Sequence, residues 1–142
     1  MLNIHDDESQ IVNEQEKKMN FDENKKPDFY GGVVLMFPKS VTCSQITDLI
    51  GEVIDIHVFD DMIEVTYKEL KNFCCWEVNE MLTNLFLLCD FNLLLSAQSK
   101  FGAKILIDIS FHHYHKYPAL VFDGANMENI HKLCADISID AY

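Results

Sequence analysis

Ala103-Lys104-Ile105-Leu106-Ile107-Asp108-Ile109-Ser110-Phe111-His112-His113 reads as a β-strand along its whole length. Ile105, Ile107, Ile109 and Phe111 share one parity and point inward, while Lys104, Asp108, Ser110 and His112 take the other and point outward. This is the period-two pattern of a strand with one buried face. Such a strand belongs at a central position in an antiparallel sheet whose other face meets water.

The segments on either side extend that reading. Val33-Val34-Leu35-Met36-Phe37 is a short apolar run ended by Pro38, as in a buried strand. Thr42 and Gln45 then form a capping box, Val41 and Ile46 can make a hydrophobic staple, and Gly51 closes the predicted helix as a left-handed cap. From Val53 to Val78 period two returns. Ile54, Ile56 and Val58 alternate with Asp55, His57 and Phe59, Asp60-Asp61 suits a hairpin turn, and Ile63, Val65 and Tyr67 alternate with Glu64, Thr66 and Lys68. Phe73 to Val78 alternates again, so two or three antiparallel strands are expected here.

Asn79-Glu80 supplies a cap and a first-turn acid for a long helix from Met81 to about Lys100, with Asp90-Phe91-Asn92 as the place where it can bend or break. Leu82, Leu85, Phe86, Cys89, Leu93 and Ala97 hold its helical spacing, and Gly102 lies just past its end. Beyond His115, a strand is expected from Pro118 to Phe122. A last helix follows, capped by Asp123 or Asn126, and then a terminal strand through Ile137, Ile139 and Ala141. The predicted order is β-α-β-β-(β)-α-β-β-α-β: an α+β fold, a mainly antiparallel sheet with helices packed on one face.

At 142 residues and 49% hydrophobic, the chain has the length for one domain with a substantial core. Residues 1–28 hold eight acids, four lysines and few large apolar groups, so they are expected to form an acidic flexible tail, at most with a helix near Ile11 to Met19. Residues 29–142 form the domain. The start lacks the basic and apolar regions of a signal peptide, and no apolar run reaches the roughly 20 residues that span a bilayer. A cytoplasmic protein is expected.

Charge narrows the function. There are 23 Asp+Glu against 11 Lys+Arg, a net charge of −12, and all the basic residues are lysine. Without an arginine fork the chain is poorly equipped to grip phosphate, so no nucleic acid and no nucleotide is expected as a partner. Cys43, Cys74, Cys75, Cys89 and Cys134 are scattered, mostly within apolar sequence, and read as reduced core thiols. His112, His113 and His115 cluster, yet neighbours on a strand face opposite ways and no second ligand motif supports a metal. Asp108, Ser110 and His112 share a face but stand roughly 6.5–7 Å apart along a strand, beyond the reach a nucleophile and base need. Gly31-Gly32 leads into a strand rather than a helix and lacks phosphate-loop spacing. No enzyme chemistry, metal or cofactor is expected.

What remains is an acidic patch. From Asp48 to Glu80 there are nine acids and two lysines. Asp55, Asp60, Asp61, Glu64, Glu69 and Glu77 are the expected partner-binding residues, offering a basic protein a surface of opposite sign that steers association.

Gly102-Ala103-Lys104-Ile105-Leu106-Ile107-Asp108-Ile109, Pro118-Ala119-Leu120-Val121-Phe122 and Ile130-His131-Lys132-Leu133-Cys134-Ala135-Asp136-Ile137-Ser138-Ile139-Asp140-Ala141-Tyr142 together resemble the closing half of the bacterial family called domain of unknown function 4279. Its members end on an Asp-x-Tyr strand, as Asp140-Ala141-Tyr142 does. Ile46-Thr47-Asp48-Leu49-Ile50-Gly51 and Trp76 resemble that family's first helix-to-glycine step and strand tryptophan, although no proline soon follows Gly51. The resemblance spans roughly residues 32–142 and implies an immunity protein, an antitoxin held against a cognate basic toxin such as a nuclease. Two other classes stay open: a small-ligand-binding domain with Trp76, Tyr67 or Tyr117 around a pocket, and a structural or self-associating module.

Overall fold

A computed structural model describes residues 25–142. The tail expected over 1–28, and the helix near Ile11 to Met19, fall outside the described residues as far as residue 24. Five strands and four helices follow: β1 Asp28–Pro38, α1 Cys43–Ile50, β2 Asp55–Val58, β3 Met62–Cys74, α2 Val78–Leu87, α3 Phe91–Phe101, β4 Lys104–His112, α4 Gly124–Lys132 and β5 Asp136–Ala141. The sheet order is β2-β3-β1-β4-β5. Every pairing is antiparallel except that of β4 with β5. The chain is thus α+β, as the order of apolar patterns predicts. The parallel edge arises because α4 carries the chain back along the sheet, so that β5 starts where β4 started.

One core holds the layers together. Phe29, Val33, Leu35 and Phe37 of β1, Ile63, Val65 and Tyr67 of β3, and Ile105, Ile107, Ile109 and Phe111 of β4 are buried on one face of the sheet. They pack against Ile46 and Ile50 of α1, Met81, Leu82 and Leu85 of α2, and Leu94 and Ala97 of α3. α4 adds half-buried Ile130, and Leu133 just beyond it is fully buried. Burying each large aliphatic side chain stabilises the fold by about 1.5–3 kcal/mol before the entropy of ordering is set against it.

Gly31 and Gly32, set aside in the sequence as too sparse for a phosphate loop, solve a packing problem on each face. A Cβ on Gly31 would stand 2.3 Å from Met81 Sδ, so glycine lets α2 settle directly on β1. A Cβ on Gly32 would meet the Tyr30 hydroxyl at 2.8 Å on the opposite face.

The local signals hold at α1. Thr42 Oγ1 accepts from the Gln45 N–H at 3.1 Å, the Gln45 side chain answers the Thr42 N–H at 3.0 Å, and the stapling pair Val41 and Ile46 is buried. Gly51 does close the helix with a positive φ of 79°, but its ψ of −132° lies outside the left-handed well.

Four expectations are settled or corrected here. The segment from Met81 to Lys100, expected to bend or break at Asp90-Phe91-Asn92, does break there, into two helices, α2 and α3, set at 77°. Asp90 breaks it: its carboxylate accepts from the Leu93 N–H at 3.2 Å while its own N–H donates to Tyr67 Oη at 3.1 Å, so it caps a new helix. The turn points Leu85 and Leu94 into one core. Second, α2 begins at Val78, and Asn79 does not cap it. Asn79 Oδ1 instead accepts from the Asp123 N–H at 2.8 Å and from the buried Asn126 amide at 3.3 Å, tying α4 to α2. Third, Phe73 to Val78 is no separate strand, because β3 runs on to Cys74 and the chain then enters α2. Fourth, Pro118 to Phe122 forms no strand. Only Ala119 makes a bridge, to Glu77, since Val78 turns at once into helix and leaves nothing further to pair.

Candidate partner-binding surface

The helices cover one face of the sheet, and the registers fix which side chains lie on the other. On β1 these are Asp28, Tyr30, Gly32, Val34 and Met36, paired with His112, Ser110, Asp108, Leu106 and Lys104 of β4. Beside β4 come Asp136, Ser138 and Asp140 of β5, opposite Leu106, Asp108 and Ser110. Asp55 and His57 of β2 pair with Thr66 and Glu64 of β3.

A β-bulge decides the rest. Between Val33 and Val34 the partner slips from Lys68 to Thr66, so Tyr67 is the extra residue and the parity of β3 inverts after it. Tyr67 stays in the core, and Glu69, by parity an inward residue, comes to lie opposite Gly32 on the open face. A second irregularity near Asn72, with φ of 56°, precedes the pairing of Asp28 with Cys74.

Seven carboxylates therefore share the open face: Asp28, Asp55, Glu64, Glu69, Asp108, Asp136 and Asp140, with Lys104 the one lysine that the registers place there and Lys71 reaching Glu69 from beside them. At their centre lies an apolar strip, Met36 and Leu106 half-buried and Val34 buried between Thr66 and Leu106. An apolar middle with a charged rim is the usual anatomy of a protein interface.

The polar contacts on this face are ordered. Tyr30 lies across Gly32 and its hydroxyl donates to Glu69 Oε2 at 2.9 Å, while Glu69 Oε1 takes Lys71 Nζ at 3.2 Å. Burial first, then the Glu69 hydrogen bond and the negative charges of Glu69 and Asp108, push the Tyr30 phenol well above its ordinary range, so it serves as a donor. Burial, and then the charge of Asp140, raise the Asp108 carboxyl above the usual carboxylate value. His57 Nε2 meets Asp55 Oδ2 at 2.8 Å. Asp28 Oδ1 is buried without a hydrogen-bond partner among the described residues, beside a depression of about 170 Å³ that Ser110, His112 and Tyr142 also line. At the other end of the sheet a depression of about 420 Å³ is lined by Met36, Asp61, Met62, Lys104 and Asp136.

The six residues expected to bind a partner divide. Asp55, Glu64 and Glu69 lie on the open face, Asp60 and Asp61 sit in the β2–β3 turn at its end, and Glu77 is elsewhere. Glu77 precedes α2 and lines a separate depression with Glu80 and Asp123. Asp28, Asp108, Asp136 and Asp140 complete the surface in place of it. Their signal was the outward parity of β4 and β5, which becomes a patch only when the strands are laid side by side.

The other constellations resolve into structure. Tyr67 is buried in the core and Tyr117 is exposed and stacked on His113 with ring centroids 4.1 Å apart, so the two do not converge with Trp76 on one pocket. His112 packs against Tyr114 and His113 against Tyr117. Among the described residues no three His, Cys, Asp or Glu side chains are placed to hold a metal ion. Of the five cysteines expected in the core, Cys75 is buried and Cys89 half-buried, while Cys43, Cys74 and Cys134 are exposed. Burial pushes the Cys75 and Cys89 thiols up to about 11, which leaves them protonated near neutral pH. Among the described residues no single helix is long and apolar enough to cross a membrane. Comparison with protein-family models, with curated proteins and with solved structures finds no match for the chain.

Proposed function

We propose that this protein is a non-enzymatic binding protein that docks the open face of its sheet on a basic protein partner. The observation that carries the reading is the gathering of seven carboxylates from all five strands around an apolar strip, against two lysines, Lys104 and the Lys71 that pairs with Glu69. A field of one sign steers a partner of the other sign and fixes its orientation, and the strip supplies the dry centre that holds it. The resemblance to domain of unknown function 4279 supports the narrower form: a cytoplasmic immunity protein that covers the active surface of a toxin, such as a nuclease, whose own substrate is an anion. Such a toxin carries the basic groups that this face would meet.

The test is co-purification with the product of the neighbouring gene at low and at high salt, joined to a growth assay. A complex that loosens with salt, and rescue of growth by this protein, support the reading. A harmless neighbour that does not bind would overturn it.

A further inference from the structure

The two edges of the sheet differ. β2 is four residues long, and its end is closed where Lys39 Nζ donates to the Phe59 carbonyl at 2.6 Å. β5 has six residues, lies last in the strand order and pairs with β4 along one side. Its sequence, Asp136-Ile137-Ser138-Ile139-Asp140-Ala141, has no lysine or proline to blunt the edge, and the charges it does carry, Asp136 and Asp140, are both negative. Among the described residues no strand pairs with its outer side, where unpaired N–H and C=O groups form a template for another chain. Ile139 remains 37% exposed on the helix side, while Asp136, Ser138 and Asp140 rim the acidic face.

A second copy fits this edge poorly. In a two-fold antiparallel pairing centred on Ser138, Asp136 would oppose Asp140 of the other copy, and the reverse contact would repeat the clash. The two acidic faces would also merge into one. Like charges directly opposite across a ladder are destabilising. The same carboxylates favour a strand with cations at alternate positions.

We propose that β5 accepts an extended basic segment of the partner as an added strand. Lysine or arginine at alternate positions would lie beside Asp136 and Asp140, and the intervening apolar residues beside Ile137 and Ile139. Ladder hydrogen bonds supply affinity and the alternation supplies selectivity. This inference rests on the acidic-face reading and adds where the partner's chain runs.

The probe is a blocked octapeptide of alternating lysine and valine, compared with a block-sequence peptide of the same composition and with an alternating peptide methylated at every backbone amide. Binding is followed by amide chemical shifts and hydrogen exchange of the intact protein. The alternating peptide should shift and protect amides of Ile137 to Ala141, and both controls should bind at least about tenfold more weakly. If all three bind equally and the shifts centre on Glu64, Glu69 and Asp108, the added strand is wrong and the acidic face stands. If none binds even at low salt, both readings fall.

Discussion

Tyr30→Phe isolates one hydrogen bond on the open face. Phenylalanine keeps the ring over Gly32, so packing is preserved and only the donor to Glu69 Oε2 at 2.9 Å is lost. A hydrogen bond to a charged group contributes about 1.5–3 kcal/mol when dry. Tyr30 is only partly buried and Glu69 keeps Lys71, so the expected loss is about 1 kcal/mol at neutral pH. For a domain of this size that lowers the melting temperature by about 4 °C, with the slope of the urea transition unchanged. The pH dependence has a definite sign. A phenol whose folded pKa is raised above its unfolded value adds stability below about pH 10 and loses it as the pH climbs toward the folded value. The wild type should therefore weaken in alkali relative to Tyr30→Phe. Ultraviolet titration of the native protein should show a late ionisation from Tyr30 that is missing from the variant. An unchanged melting temperature together with no late tyrosine would refute the reasoning.

Further outcomes follow from the packing and the charges. Gly31→Ala should destabilise by about 1–3 kcal/mol in urea denaturation, because the new methyl overlaps Met81 Sδ in a closed core, and the same change should cost less when made in a Met81→Ala background, as a double-mutant cycle will show. Asp108→Asn should stabilise the protein at neutral pH by a few tenths to about 1 kcal/mol, the range of like-charge pairs on a sheet. The raised Asp108 carboxyl favours folding when protonated, so the advantage of Asn should shrink as the pH falls through its folded pKa, as melting curves across the acid range will show. In the native protein at neutral pH a thiol reagent should label the exposed Cys43, Cys74 and Cys134 promptly and spare Cys75 and Cys89 until the protein unfolds, a count that mass spectrometry gives directly.

Elements with a strong local period were legible in the sequence. β4 lies where Ile105, Ile107, Ile109 and Phe111 place it, and α1 begins at the Thr42–Gln45 box because both halves of that signal are short-range. Signals that depend on a distant partner were not. Asp90-Phe91-Asn92 marks where the helix can break, but the acceptance of the Asp90 N–H by Tyr67, 23 residues away, leaves no trace in the local pattern. Asn79 looks like a cap for the helix it opens but is held by Asp123 and Asn126, more than 40 residues on. Ala119 has one partner and so makes no strand. The acidic surface had the same character. Counting along the chain groups Asp55, Glu64 and Glu69, but Glu69 joins the other two on the open face only through a bulge that its parity does not reveal. Glu77 was close in sequence and distant in space, while Asp108, Asp136 and Asp140 were the reverse.

The most direct measurement is calorimetric titration of the neighbouring gene's product with three proteins: the wild type, the open-face reversal Glu64→Lys/Asp140→Lys and the helix-side reversal Glu77→Lys/Glu80→Lys. The two variants carry the same change in net charge, so only the location of the charge differs. The open-face variant should bind at least about tenfold more weakly while the helix-side variant stays within about twofold of the wild type. Loss of binding in the helix-side variant with the open-face variant unaffected would contradict the account.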